Sequence, residues 1–404
     1  MDRNAVSCDA AFDTLRKMQT DLGIALRDAR ARTDELFGLV RPGAIYDRPI
    51  AERHRIVFYL GHVEAFDWNL VRGHAADLRP FHADFDRLFA FGIDPPPGQL
   101  PSDEPRDWPV VPELEEYNRR TRAAIDAVLE RIPEQILHVA IEHRLMHAET
   151  LAYILHNLPY EKKVPADDAG PAPPSRGAVR HRMIDFAAGK VQLGLPAGQG
   201  FGWDNEFQAH CIDVPAFSIG KYKVTNGEYL EFVRQGAAPP FFWRDGGGQW
   251  LYRGMFREWP LPLDGPVYVT HCEAQAYARW RGMRLPSEAE FQRAASAGGV
   301  SSNVDFRRWD PIAVNADEAA EDDAAPQQLV GNGWEWTATV FAPFPGFAPL
   351  PFYTNYSAPF FDGAHYVLKG GSPRTAAAML RPSFRNWFRP AYPYVYATFR
   401  LVQS

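Results

Sequence analysis

The sequence predicts an α+β protein in two parts, a helical N-terminal half followed by a β-rich half with long structured loops. Three observations predict this. Residues 8 to about 160 carry apolar residues on a helical period. A short stretch rich in Pro, Ala and Asp then ends that pattern, and short β-like runs among Gly- and Pro-rich loops follow it. The chain also has 404 residues, enough for two domains with a core each.

In the first part, ERHRIVFYLGHVEAFDWNLVRGHAADL (52–78) and AAIDAVLERIPEQILHVAIEHRLMHAETLAYILHNL (123–158) are strongly periodic. Pro133 and Glu134 mark a helix start, because proline loses little in a first turn. Four long amphipathic segments fit within 8–163, and an antiparallel four-helix bundle is the simplest arrangement. Residues 164–178, VPADDAGPAPPSRGA, have almost nothing to bury and read as a linker. From 179 to 404 the β-like runs KVQLGL, FSIGKYKV, YVLKGG and YATFRLV alternate with loops and two short helical patterns, NGEYLEFVRQG and CEAQAYARWRG.

Composition excludes several classes. The chain is 46% hydrophobic and 23% charged, as ordinary globular proteins are. A net charge of −7 gives no reason to expect nucleic acid or an anionic membrane as partner. Cys8, Cys211 and Cys272 are scattered and odd in number, so they form no disulfide framework. No apolar run reaches the length of a membrane span and no signal pattern opens the sequence, so the cytoplasm is expected.

Chemistry enters with the histidines. His143 and His147 are four apart on a periodic helix, so both imidazoles project from one face. That spacing suits two ligands of one ion, although H-x-x-x-H by itself also describes two unrelated histidines. The helix lacks the glutamate after its first histidine that a zinc metalloprotease needs as base. His62 lies in GHVEAFDW among apolar and aromatic neighbours, where an imidazole needs a partner. Facing helices of a bundle could supply one through a core metal site. His138 is turned off the shared face and reads as structural; His54, His74 and His82 read as surface residues. The ligand set alone leaves Fe(II), Zn(II) and Cu(II) open.

The second part resembles the formylglycine-generating (sulfatase-modifying factor, C-type-lectin-like) fold. The resemblance rests on FSIGKYKVTNGEYLEFV (217–233), GPVYVTHCEAQAYARWRGMRLPSEAEFQRAA (265–295), GNGWEWT (331–337), VLKGGS (367–372) and FRNWFRPAYPYVYATFRLV (384–402). Residues 370–400 contain no cysteine, which rules out the copper chemistry of the true formylglycine-generating enzymes. A DinB-like helical domain with H…H-x-x-x-H joined to this fold resembles the ergothioneine sulfoxide synthase family over roughly residues 10–404.

The resemblance implies that His62, His143 and His147 hold Fe(II). It implies that O2 is used to join a sulfur nucleophile to C2 of the imidazole of hercynine. In PFPGFAPLPFYTNYSAPFF (343–361) it points to Tyr353 as the donor of a proton or hydrogen, with Tyr356 as the substitute; both could instead be packing aromatics. Asn386 and Trp387 match the family's Asn-Trp pair at the hercynine carboxylate and trimethylammonium, and an aromatic face suits a quaternary ammonium.

The departures concern the second substrate. Phe388 stands where relatives that use γ-glutamylcysteine carry aspartate, and Met146 stands where the family has glutamine. The loop FGIDPPPGQLPSDEPRDWP (91–109) holds acids and Arg106 alone instead of clustered arginines. The expectation is therefore a donor with fewer carboxylates, best met by the selenosugar of selenoneine synthase, with γ-glutamylcysteine or cysteine as alternatives. Two further readings stand beside this one: a non-catalytic small-molecule-binding protein, and an oxygenase of the same iron class acting on an unrelated small molecule.

Overall fold

The computed structural model describes residues 5–93, 99–166, 175, 177, 179–296, 302–316 and 325–403, with side chains from residue 21 onward and Phe91 excepted. The chain divides into two compact units, Met1–Ala166 and Asp167–Ser404. Most of the expected linker, 164–178, lies outside the described residues, as does the side chain of Cys8.

The first unit is helical: α1 (Ala5–Gly38), α2 (Ile56–His74), the short α3 (Ala83–Phe91), α4 (Val111–Asp126) and α5 (Glu134–His156). Pro133 is the N-cap of α5, with a φ of −57° that leads directly into the helix. The expected antiparallel arrangement is only partly met. His62 and Phe66 of α2 meet His147 and His143 of α5, so those two helices run in opposite directions. Arg30 and Asp34 of α1 meet Asp126 and Arg122 of α4, again in opposite directions. However, Asn118 donates to the Leu60 carbonyl and Arg122 to Glu64, so α2 and α4 run the same way. The long return through α3 and the segment before α4 makes this possible, because it carries the chain back to the starting end.

Arg144 holds this unit together at its centre. Its side chain is fully buried and donates to Glu64 at 2.8 Å, Asp67 at 2.5 Å, Thr33 at 3.3 Å and the Val63 carbonyl at 2.7 Å. Arg122 adds a second cation to Glu64 at 2.6 Å. Burial acts to raise the Glu64 carboxyl, but Arg144 and Arg122 overcome it and hold the pKa down at about 2. Asp67 is pushed up, because its burial and the nearby Glu64 charge outweigh Arg144 and Arg30.

The second unit is built from small sheets. Strand β4 (Phe217–Gly220) pairs with β1 (Met183–Phe186) on one side and β12 (Val402–Gln403) on the other, both antiparallel. Strands β2 (Gly189–Leu193) and β3 (His210–Val214) form a ribbon, and β5 (Trp243–Asp245), β6 (Trp250–Arg253) and β7 (Glu258–Pro260) form a meander. A four-stranded sheet runs β10 (Asn386–Phe388), β9 (Tyr366–Lys369), β8 (Trp334–Val340), β11 (Ala397–Thr398), the last pair parallel. The two expected helical patterns form α6 (Asn226–Arg234) and α7 (His271–Trp280), each opened by a threonine capping box. A third helix, α8 (Glu288–Ser296), was not expected. Its SEAEF start carries the signal, since Ser287 and Glu290 exchange hydrogen bonds as a capping box does.

Ion pairs buried in this unit bind its loops to its strands. Arg400 grips Glu335 at 2.9 Å and donates to the Gly220 and Lys221 carbonyls, while Lys223 reaches Glu335 at 2.6 Å. Cys211 and Cys272 are free and exposed. Among the described residues, no helix is long and apolar enough to cross a membrane.

Replacing Arg144 with Met should cost about 3–5 kcal/mol of stability, because it strands buried carboxylates without their cation. Urea denaturation of the full chain followed by circular dichroism reads this. Adding Glu64→Gln and Asp67→Asn to that variant should recover part of the loss.

Candidate functional site

Helix α2 presents a stripe of residues four apart, Phe58, His62 and Phe66, to the face of α5 that carries His143 and His147. Phe66 lies flat on His143, with ring centres 3.4 Å apart and planes 10° apart. Phe58 stacks on His62 at 4.8 Å. One step round α2, Glu64 and Asp67 grip Arg144, which follows His143 directly. The ion network therefore sets the rotation of α5 that turns both its histidines towards His62.

The three imidazoles meet. One ligand atom from each of His62, His143 and His147 lies within 4.8 Å of the others, and the set is largely buried. His62 Nδ1 is 2.7 Å from the Phe89 carbonyl, which can only accept, so that nitrogen carries the proton. The lone pair is then on Nε2, 3.2 Å from Nε2 of His147. Nitrogens bonded about 2.0–2.1 Å from one divalent ion lie about 2.9–3.4 Å apart, so the spacing fits a shared ion. Burial pushes all three imidazoles down, His62 to about 4 and the other two well below the usual histidine value. They are thus neutral over the physiological range, as ligands must be. His147 Nδ1 is buried without a hydrogen-bond partner.

Other predicted positions fall as follows. Met146 precedes His147 on α5 and is half-buried. His138 pairs with Glu134 at 3.4 Å on the same helix. His82 caps α3, accepting from the Phe85 amide, and His74 is exposed. His54 differs from its expectation as a surface residue: it is half-buried, with its ring 4.2 Å from that of Phe58. Asp103, counted among the loop acids, is buried between Arg48, Arg55 at 2.9 Å and the Trp108 indole at 2.7 Å. Arg106 is exposed and paired with Glu104 at 3.0 Å.

The second unit gathers the aromatic candidates. Tyr356 is buried and stacks on Trp203 at 4.0 Å, while Tyr353 is half-buried, 5.7 Å from Tyr356. Burial, aided by the charge of Asp204, pushes the Tyr353 phenol up to about 12. Trp387 lies flat on Phe341 at 4.3 Å and meets Tyr356 and Phe360 at 5.4 and 5.5 Å, so it belongs to a packed aromatic cluster. Asn386 turns its Oδ1 back to the Trp387 amide at 2.8 Å. Phe388 lies on the face of β10 opposite to Trp387, the same face as Asn386, and stacks on Tyr392 at 5.4 Å. The Asp204–Ser357 hydrogen bond, backed by Asn205 at 2.8 Å, anchors the tyrosine loop and was not read from sequence.

The full chain should bind one equivalent of a divalent transition ion. His143→Ala should abolish this, and calorimetric titration with Co(II) measures both.

The chain also matches a family model and several named proteins. The model of the sulfatase-modifying factor enzyme 1-like domain matches residues 171–325 and 325–404. A protein named hercynine oxygenase, from Mycolicibacterium thermoresistibile, is 34% identical over 328 residues, 70% of this chain and 72% of that protein. Ergothioneine biosynthesis protein 1 of Schizosaccharomyces pombe is 28% identical over 91% of this chain, which spans 54% of that longer protein. The formylglycine-generating enzyme of Streptomyces coelicolor is 26% identical over 52% of this chain. With a helical unit carrying three converging histidines and a sulfatase-modifying-factor domain after it, the chain belongs to the ergothioneine sulfoxide synthase family.

Proposed function

We propose that this chain is a non-heme Fe(II) oxidoreductase that uses O2 to join a thiol to C2 of the imidazole of hercynine. The observation that carries the reading is the convergence of His62, His143 and His147 into one neutral, largely buried set. The names of the relatives support hercynine as the substrate and favour sulfur as the chalcogen. When bound, Fe(II) would supply the redox chemistry that O2 requires. In outline, the C2–H and the donor S–H are lost, a C–S bond forms, one oxygen atom goes to sulfur and the other leaves as water.

The chain's own residues have separate tasks. Burial keeps the three imidazoles unprotonated, and the Phe89 carbonyl holds His62 in the tautomer that offers Nε2. Tyr353 keeps its proton up to about pH 12, so a phenol O–H is always available to donate. Tyr356, packed on Trp203, holds the loop and stands second as donor. The Trp387 indole, which keeps one face free of the Phe341 stack, suits a trimethylammonium group, and the neighbouring Asn386 suits a carboxylate. A non-catalytic binder would need neither the histidine set nor the protonated tyrosine.

A second reading, the selenosugar as donor, is favoured by one observation. Phe388, at the position where relatives that use γ-glutamylcysteine carry aspartate, is stacked on Tyr392 and offers a substrate with two carboxylates no polar contact.

Anaerobic reconstitution with Fe(II), then hercynine, O2 and a donor, followed by mass spectrometry, tests these readings. Product from γ-glutamylcysteine or cysteine supports the sulfur reading. Product from 1-seleno-glucose alone supports the second, and no product from any donor sinks both. Tyr353→Phe should lower kcat about 100-fold or more with the hercynine KM unchanged. Trp387→Ala should raise that KM roughly 3- to 30-fold, the worth of a cation–π contact; an unchanged KM would remove Trp387 from the hercynine site.

A further inference from the structure

Helix α3 contributes no ligand, yet its last turn meets the metal set. It spans Ala83–Phe91 and ends at Gly92, whose amide bonds back to the Leu88 carbonyl. The Phe89 carbonyl belongs to the final turn and so lacks an acceptor role inside the helix. It accepts instead from His62 Nδ1 at 2.7 Å. A helix C-terminus carries partial negative charge, which makes that carbonyl a stronger acceptor for an imidazole N–H.

The position of this carbonyl is set by a close approach of two helices. The Phe89 side chain is fully buried and its ring lies directly over Gly61, the residue before His62. A Cβ at residue 61 would stand 2.3 Å from Phe89 Cδ1 and 2.5 Å from Cε1 and Cγ, so only glycine lets the ring seat there. The other side of the ring is backed by aromatics. Phe85 meets it edge-on at 5.5 Å, Trp108 lies at 6.2 Å and Tyr117 at 6.3 Å. Tyr117 in turn donates to Asp86 at 2.9 Å, and Asn69 of α2 donates to the Asp86 carbonyl at 2.9 Å. The ring therefore cannot retreat from Gly61 without moving α3 as a whole.

We propose that the Gly61–Phe89 contact is a positioning device for the metal set: it places the Phe89 carbonyl, in the last turn of α3, so that His62 is held in one tautomer and one ring orientation. The proposal rests on the reading of the three histidines as metal ligands. Gly61 and Phe89 are positioning residues, since they touch neither ion nor substrate and act through His62.

The test is Co(II) binding by the full chain, read by titration and by the paramagnetically shifted N–H signals of the ligand histidines in water. Gly61→Ala should weaken Co(II) binding about 10- to 100-fold, the usual cost of disturbing a ligand's hydrogen-bond partner. One shifted N–H signal should exchange with water faster than in the wild type, while helical circular dichroism is retained. Gly73→Ala is the control on the same helix, because a Cβ there meets nothing within 4 Å, and it should bind as the wild type does. If Gly61→Ala does not fold, Phe89→Leu decides, since it keeps the carbonyl and removes the ring; it should show the faster N–H exchange. Binding and exchange in Gly61→Ala equal to those of Gly73→Ala would overturn the proposal. Weaker binding with every N–H exchange rate unchanged would overturn it too. A wild-type chain that binds no Co(II) would instead remove the metal reading itself.

Discussion

The buried guanidinium of Arg144 sits between Glu64 and Asp67, and the first unit's chemistry depends on that arrangement. A cation with no solvent access requires compensating carboxylates in fixed positions, so α2 and α5 have one rotation relative to each other. In that rotation the stripe Phe58, His62, Phe66 lies against His143 and His147. An apolar seam of the same shape would tolerate sliding by a fraction of a turn, and the nitrogens would no longer share a point. The network is thus best understood as a device of registry rather than of net stability.

The second unit uses the same physics for a different purpose. Its strands are short and its loops long, so backbone pairing alone leaves much of the chain unanchored. Buried charges do the anchoring. Arg400 and Lys223 converge on Glu335, Arg385 on Glu288 at 2.9 Å, and Arg381 with Ser383 on Glu206. Asp204 does this for the tyrosine loop through Ser357, and Trp203 covers Tyr356 from the adjoining position.

Both candidate clusters also share an electrostatic logic. Desolvation is the first cause of every shift: it disfavours the imidazolium forms of the three histidines and the phenolate form of Tyr353. The result is candidate ligands without protons and a phenol that keeps its own. Neither state needs a dedicated charged partner; dry surroundings suffice.

Much of this was legible in the sequence. Helical periodicity marked the first unit, and the four-residue spacing of His143 and His147 placed two imidazoles on one face. The dispersed motifs of the second half named its fold. These features are local or patterned, so chain order alone carries them. Tertiary structure decided the rest. The parallel run of α2 and α4, the rotation imposed by Arg144, and the burial of Asp103 between two arginines all depend on residues far apart in sequence. The Phe89 carbonyl is the clearest case, because a backbone oxygen has no residue code and its role exists only where α3 lands on Gly61. Chain order sets which side chains are available as candidate ligands and donors. Only the folded chain decided their tautomers, protonation and partners, because those follow from burial and close approach, and neither is a property of sequence position.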